Sequence, residues 1–433
     1  MKKVYMSFSA DMLHYGHIEI MKKAAEYGEL IIGVLTDDVI SQYKRPPLVS
    51  WENRCKLFEE LNFVSAIVKK DTLSYEPILK EYHPDIIVHG DDWKTGIKST
   101  IRKQLIDLLD IYGGRLVEYP YNEEQSVNIL EDMLRRGQAM PEVRRGMLKK
   151  ILKMKPYVRV MEAHDGLTGL IVERAQYQGN NETRTYDAMW ESSLCDSTSR
   201  GKPDIELIDW SDRIARIQEI MEVTTKPIIV DGDTGGQIEH FTYIVRSLER
   251  IGVSAVIIED KTGVKRNSLF GTEVPQTQDD PDHFAAKIKA AKSALSTDDF
   301  MIIARIESLI LEKGEQDALA RAECYIKAGA DGIMIHSRRQ EPDEVYHFCK
   351  KLKEKYTDIP IVVVPTTYNG VSEAELAAHG ADIIIHANHL IRSAFPAMEK
   401  TAVEILKNGS SKCVDDMCMP IKNIISLIPD KEG

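Results

Sequence analysis

No stretch of this 433-residue chain approaches the roughly 18 consecutive apolar residues that a membrane-spanning helix needs, so no membrane partner is expected. The opening MKKVYMSFSADM lacks the long apolar core of a signal peptide. Cysteine is sparse and scattered. Cys55, Cys195, Cys324, Cys349, Cys413 and Cys418 include no C-x-x-C pair, so their spacing indicates neither a zinc site nor a redox motif. Cys413 and Cys418 lie close enough in sequence to pair, but the set reads more readily as reduced thiols in a cytoplasmic protein. Positive charge is also short: 56 Lys and Arg against 68 Asp and Glu leave a net charge of −12. A nucleic-acid binder would show a basic patch, so no nucleic-acid partner is expected. A small anionic substrate stays compatible, because a few local cations override an average.

What is present is the composition of a globular protein, 43% hydrophobic and 29% charged, at a length suited to two domains. The first part alternates short apolar runs with helical patterns. KKVYMSF, ELIIGVLT, VSAIVKK, PDIIVHG and GRLVEYP read as strands, with helices such as HIEIMKKAAEYG and SWENRCKLFEEL between them. This alternation predicts a Rossmann-like parallel sheet covered on both faces, over residues 1–130. The charged, helically spaced stretch that follows supplies a linker over 131–150. Residues 151–433 carry eight strand candidates: YVRVMEA, YDAMW, PIIVDGD, VSAVIIED, FMIIARIES, DGIMIHS, PIVVVPT and ADIIIHAN. Eight βα units in about 280 residues predict a (β/α)8 barrel. An open doubly wound sheet is the alternative, but it accounts less readily for eight polar strand ends.

Those ends are Asp165, Trp190 with Ser192, Asp231 with Asp233, Glu259, Arg305, His336, Thr366 with Thr367, and His386 with Asn388. Each alone reads as a turn or helix cap. In a barrel they meet on the face where such folds place their chemistry. Asp231 and Asp233, two apart in DGDTGG, can lean to one side, and Glu259 adds a third carboxylate from the next strand. Close carboxylates repel unless a cation lies between them. Oxygen-only donors select Mg2+, with Mn2+ as a substitute. Arg305, inside the apolar run of IIARIES, needs an anion: either Glu307 or a substrate carboxylate or phosphate. His336 is either a donor to a phosphoryl oxygen or a satisfied core residue. WESSLCDSTSR offers hydroxyls and backbone N–H groups as an anion cradle. EDKTGVKRNS, after the fourth strand, carries more polar groups than a turn needs. The set suits a small, multiply anionic substrate bound with Mg2+, and no Ser–His–Asp or Cys–His nucleophile is needed.

WESSL, the aspartate of KPD, DGDTGG, EDK with five residues before NS, ARIES and MIHS together resemble the phosphoenolpyruvate mutase family of the isocitrate lyase superfamily. The resemblance covers roughly residues 155–405. The KKCGH segment typical of the lyase branch is absent, which speaks against C–C lyase activity. The resemblance implies that Asp231, Asp233 and Glu259 hold Mg2+, directly or through water, with Asp204 nearby. It implies that Trp190, Ser192, Ser193 and Leu194 surround the pyruvate carboxylate and enolate. Asn267, Ser268, Arg305 and His336 would address the phosphoryl group, and Lys265 and Asn267 would ride on a loop that closes over the substrate. Asp204, Lys265, Asn267, Arg305 and His336 are the implied catalytic set. The implied reaction interconverts phosphoenolpyruvate and phosphonopyruvate. Phosphonopyruvate hydrolases share the barrel and the metal ligands, whereas Asn at the position of Asn267 marks the mutases. One departure is Ser193, where the family commonly has Gly. Family barrels pair by exchanging their last helix, which implies a homo-dimer or homo-tetramer.

In the first domain ADMLHYGH, SWENR and HGDDW make residues 1–126 resemble the glycerol-3-phosphate cytidylyltransferases of the HxGH nucleotidyltransferase superfamily. His14 and His17 open a helix, whose N-terminus favours phosphate. The resemblance adds Lys44, Asp91 and Trp93 as nucleotide-binding candidates, with CTP as the ligand. Two departures oppose this. The family's GTFD is FSAD here, which puts Phe8 beside the nucleotide, and its RTEGISTT is YNEEQSVN, which adds Glu124 near the phosphates. An active cytidylyltransferase and a degenerate domain kept for binding or assembly both remain open.

Overall fold

The computed structural model describes residues 2–9, 13–42, 46–94, 98–120, 137–179 and 183–428. Five strands, β1 (Lys3–Phe8), β2 (Glu29–Leu35), β3 (Ala66–Lys70), β4 (Ile86–Gly90) and β5 (Arg115–Tyr119), form a parallel sheet in the order β3-β2-β1-β4-β5. Alternate residues face opposite sides, as a pleated strand requires. Val4, Met6, Ile32, Val34, Ile86 and Val88 pack with Met21 and Phe58 on one face. Tyr5, Ile31 and Ile87 pack with Tyr75, Ile78, Trp93 and Leu105 on the other. The strand order reverses between β1 and β4, so a crevice forms at their carboxyl ends, where such sheets bind ligands.

The eight later runs are the strands of a closed parallel barrel: β6 (Val158–Glu162), β7 (Ala188–Glu191), β8 (Ile228–Asp231), β9 (Ala255–Glu259), β10 (Met301–Ile306), β11 (Gly332–Ile335), β12 (Ile361–Val363) and β13 (Ile383–His386). The open-sheet alternative is thereby excluded. Inside the barrel Val158, Val160, Trp190, Ile229, Ala255, Ile257, Met301 and Ile303 form one cluster. The intervening residues, among them Val230, Val256, Ile258, Ile302 and Ala304, face the surrounding helices. The helix Pro141–Met154 sends Met147, Leu148 and Ile151 into the inner cluster. Ser254 Oγ, just before β9, donates to its Arg144 carbonyl at 2.8 Å. This helix therefore closes the amino end of the barrel and leaves the carboxyl end for the site.

One feature had no counterpart in the sequence reading, and one bears on the expected exchange of the last helix. A short exposed hairpin, Gln176–Gln178 with Thr183–Thr185, lies between β6 and β7. It buries no apolar side chain, so no periodicity announces it. The twenty-residue helix His389–Asn408 has no buried residue and exposes Phe395, Met398, Val403 and Leu406. Among the described residues, no helix is long and apolar enough to cross a membrane.

Candidate active site

Five consecutive barrel strands deliver the polar groups: Ser192 and Ser193 after β7, Asp231 and Asp233 at β8, Glu259 ending β9, Arg305 in β10 and His336 after β11. At other strand ends the bland reading holds. Asp165 caps the helix Gly166–Arg174 in a reciprocal capping box with Thr168. Thr367 Oγ1 donates to the Ser337 carbonyl at 3.1 Å, and His386 Nε2 lies 2.9 Å from Glu373 Oε1. Trp190 is buried among the inward barrel side chains. Ser192 Oγ caps the helix Ser193–Ser199 by accepting from the Cys195 N–H, and Leu194 is half-buried.

Asp231, Asp233 and Glu259 are 9%, 6% and 2% exposed. Asp233 adopts a left-handed φ of +54°, which aspartate tolerates better than most residues. Gly232 before it is dictated by space, because a Cβ there would meet Val256 Cγ2 at 2.7 Å and the Ile257 carbonyl at 2.9 Å. Arg213, from the helix Trp210–Val223, reaches the same turn. It donates to Asp233 Oδ2 at 3.0 Å, to Glu191 Oε2 at 2.6 Å and to the Asp231 carbonyl at 2.5 Å. The Trp210 ring lies 4.6 Å from the guanidinium. Burial pushes the Glu191 carboxyl up to about 7, and Arg213 opposes that shift. Sequence reasoning missed Arg213, since an arginine on an amphipathic helix reads as solvated.

The segment after β9 folds over this turn. Lys261–Thr262 pairs antiparallel with Thr277–Gln278, so the loop between them is tied at its base. Val264 points outward, 67% exposed, while Lys265 is buried. Lys265 Nζ donates to Ser193 Oγ at 2.6 Å, to Asp204 Oδ1 at 2.7 Å and to Asp233 Oδ1. Burial disfavours its charge, but Asp233, Asp231 and Asp204 outweigh that and hold its pKa well above the usual lysine value. Asn267 has its carboxamide orientation set by the chain, because Oδ1 accepts the Leu269 N–H at 3.1 Å. Its Nδ2 is then left to donate to Asp204 Oδ2 at 3.2 Å.

At the β10 side of the site Arg305 is keyed from three directions. Nε donates to Glu307 Oε1 at 2.6 Å, and Nη2 donates to Ser268 Oγ at 2.5 Å and to His336 Nδ1 at 3.1 Å. The Glu307 pairing is therefore present, and it orients the guanidinium. Burial and Arg305 push the His336 pKa down to about 3, so the imidazole is neutral. With Nδ1 accepting from Arg305, its proton resides on Nε2. Lys261 Nζ ties the loop through the Arg266 carbonyl at 2.9 Å, and it also lies 3.1 Å from Glu259 Oε1 and 3.0 Å from Ser268 Oγ. Asp260 does organise the turn. Its carboxylate accepts from Tyr325, Gln278, Arg321 and the Glu307 N–H at 2.8–3.1 Å. Burial pushes the Glu307 carboxyl up, but Arg305 and Lys261 hold it well below the usual range. Glu259 shares the same cations, with Lys261 at 3.1 Å but Arg305 farther off at 3.4 Å, and burial lifts it to about 7.

Three buried carboxylates with oxygen donors only, one of them incompletely compensated, fit a hard divalent cation. They do not close into a tight shell. Among the described residues, the only group of three or more His, Cys, Asp or Glu with ligand atoms mutually within 4.8 Å is Glu162, His164 and Cys195. Mg2+ tolerates the wider arrangement, because it keeps several waters and needs only one or two direct carboxylates. Cysteine spacing gave no hint of the Glu162, His164 and Cys195 group, because its members come from two different strand ends.

In the first domain His14 and His17 stack with ring centroids 3.6 Å apart at the start of the helix Tyr15–Ala25. Phe8 sits edge-on to His17 at 5.4 Å. Across the switch point, His89 stacks on Trp93 at 3.7 Å, and Trp93 Nε1 donates to Glu118 Oε1 at 2.7 Å. Asp91 opens the short turn Asp91–Trp93. Lys44 and the YNEEQSVN segment lie outside the described residues.

Comparison with known proteins agrees with this layout. The family model for phosphoenolpyruvate phosphomutase matches residues 148–406, and the cytidylyltransferase-like model matches residues 9–131. The chain is 34% identical over 287 residues to a phosphoenolpyruvate phosphomutase of Tetrahymena pyriformis, covering 66% of this chain and 91% of that one. It is 36% identical over 273 residues to a phosphonopyruvate hydrolase of Variovorax sp. (strain Pal2), covering 63% and 90%. A solved phosphonopyruvate hydrolase in complex with oxalate and Mg++ superposes with a TM-score of 0.55 at 33% identity, over 63% of this chain and 89% of that one. These identities do not choose between the two activities. They do fix the family: the chain belongs to the phosphoenolpyruvate phosphomutase family of the PEP mutase/isocitrate lyase superfamily, with a cytidylyltransferase-like domain ahead of its barrel.

Proposed function

We propose that the barrel interconverts phosphoenolpyruvate and phosphonopyruvate by intramolecular phosphoryl transfer. The observation that carries this reading is Asn267, whose carboxamide is locked by the Leu269 N–H so that its NH2 faces Asp204. Asparagine at this loop position is the mark of the mutases in the resemblance described above.

In the forward direction the bond from phosphorus to the enol oxygen breaks and a bond from phosphorus to C3 forms. The enol oxygen becomes the keto oxygen, and no water is consumed. Asp231, Asp233 and Glu259 would hold Mg2+, which supplies charge neutralisation for the carboxylate and enolate oxygens. Ser192, Ser193 and Leu194 bind the carboxylate end. Arg305, held by Glu307, and the Nε2–H of neutral His336 face the phosphoryl oxygens. A loose, metaphosphate-like transfer asks mainly for fixed geometry and charge stabilisation, which these oriented donors provide. The 261–278 segment, with Lys265 and Asn267 turned inward, excludes the water that would otherwise take the phosphoryl group. Phosphorus NMR of phosphonopyruvate with the protein and Mg2+ tests the reading. A phosphoenolpyruvate resonance is expected, and inorganic phosphate in its place points to the hydrolase.

For the first domain we infer a role in binding or assembly without cytidylyl transfer. Support comes from Phe8 against His17 and from Glu124 in the sequence segment that the resemblance aligns with the family's phosphate contact. Calorimetry with CTP and Mg2+ should show no binding at millimolar CTP, and a saturable heat would favour the active reading. The exposed apolar side of the helix His389–Asn408 supports a homo-dimer or homo-tetramer in which another copy covers it.

A further inference from the structure

We propose that Glu162, His164 and Cys195 form a second metal site, for a divalent cation of the Zn2+ class, distinct from the carboxylates of Asp231, Asp233 and Glu259. The three side chains are 0%, 4% and 0% exposed, and one ligand atom from each lies within 4.8 Å of the others. Glu162 and His164 come from the end of β6, and Cys195 comes from the short helix after the adjacent β7.

The second observation is unsatisfied polarity. Glu162 Oε1 accepts the Ile391 N–H at 3.1 Å, but Oε2 is buried with no hydrogen-bond partner among the described residues. His164 Nδ1 is also buried without one, although Glu162 Oε1 lies 3.4 Å away. Two such unpaired atoms in a dry environment are costly unless something binds them. The donor set says what kind of ion that is. Sulfur and imidazole nitrogen with a single carboxylate disfavour Mg2+ and Ca2+ and suit Zn2+. A thiolate and a carboxylate also balance a divalent charge, which leaves the buried site neutral. Binding displaces the Cys195 thiol proton to solvent. Zinc bonds of about 2.0–2.3 Å place ligand atoms under about 4 Å apart, so small rotamer changes close the shell.

His389 Nδ1 is also buried without a hydrogen-bond partner and lies two residues before Ile391, whose N–H already holds Glu162. It stands outside the group of three, so water would complete a four-coordinate shell. An ion here would clasp the end of β6 and the helix that begins at Ser193, and Glu162 already ties them to the start of the last helix. It would thus fix the Ser192–Leu194 cradle from below without touching substrate.

The test is cobalt titration of the full chain carrying Cys413→Ser and Cys418→Ser, which removes the exposed thiols. The protein is stripped with a chelator and then saturated with Mg2+ to fill the carboxylate site. A thiolate-to-cobalt charge-transfer band that saturates near about one equivalent and is displaced by Zn2+ is expected. The band should vanish when Cys195→Ser is added and weaken at least about tenfold in affinity with His164→Gln. No thiolate band in the parent protein, or a band that survives Cys195→Ser, overturns the proposal. The three groups are then a metal-free hydrogen-bonded cluster.

Discussion

Ser193 has one hydroxyl proton and three polar neighbours. Lys265 donates to it at 2.6 Å, so that proton goes to Asp231 Oδ2 at 2.9 Å or to Asp204 Oδ1 at 3.2 Å. The residue that departs from the family's glycine has therefore become a link between the loop lysine and the carboxylates. A hydrogen bond to a charged group contributes about 1.5–3 kcal/mol. Ser193→Gly is accordingly expected to lower kcat/KM by about ten- to a hundredfold in a phosphoenolpyruvate-forming assay. A much larger loss would mean that the hydroxyl takes part in the chemistry itself. Asn267 is the sharper case. Asn267→Ala removes a donor whose direction is fixed before substrate arrives, and a fall in kcat of about 10²–10³ is expected. An unimpaired Asn267→Ala enzyme would remove Asn267 from the mechanism.

At the scale of elements, the loop over the site is pinned to the Asp204 and Asp233 carboxylates by Lys265, beside the bonds of Asn267 and Ser268. Lys265→Met strips the only buried ammonium that contacts Asp204 and Asp233 among the described residues, and leaves those carboxylates facing each other. Hydrogen exchange across 262–277 should speed up by about tenfold or more in the metal-free protein, with the barrel strands unaffected. Equal exchange in the two proteins would mean that the hairpin base and the Asn267 and Ser268 bonds hold the loop without Lys265. In the first domain, Arg102 on the helix Lys98–Tyr112 grips Glu118 on β5 with two 2.8 Å bonds. Those bonds hold the Glu118 carboxyl down to about 2 against the upward push of burial. The folded pKa lies below the unfolded value of about 4.3, so the stabilisation is complete above that pH and is lost as pH falls towards 2. Solvent screening reduces it well below what the full shift would imply. The urea midpoint of the first domain should drop between pH 5 and pH 3, and drop less in Glu118→Gln. An identical drop in both proteins would exclude this ion pair as the cause.

The thirteen strands of the sheet and the barrel were legible because each is a short apolar run bounded by polar residues, whereas the two short hairpins were not. The site was legible only in part. Asp231, Asp233, Glu259, Arg305 and His336 sit at strand ends, where position alone implies convergence, yet Asp165 and His386 sit at equivalent ends and are engaged in a cap and in a hydrogen bond with Glu373. Arg213 and the Glu162, His164 and Cys195 group escaped notice because their meaning arises only when separate elements pack together.

For the whole molecule, two consequences follow from what one chain leaves uncovered and what it encloses. The helix His389–Asn408 places Phe395, Met398, Val403 and Leu406 in solvent, more apolar surface than a stable monomer usually shows on one element. Sedimentation equilibrium should give twice or four times the mass of the 49.0 kDa chain, and a monomer at micromolar concentration would leave that surface unexplained. The enclosed site poses the central question: does the phosphoryl group reach carbon or water? The direct measurement is phosphorus NMR of phosphonopyruvate with the full-length protein and Mg2+. The expected result is a growing phosphoenolpyruvate resonance, abolished in Asp231→Ala; inorganic phosphate as the sole product would contradict the mutase reading.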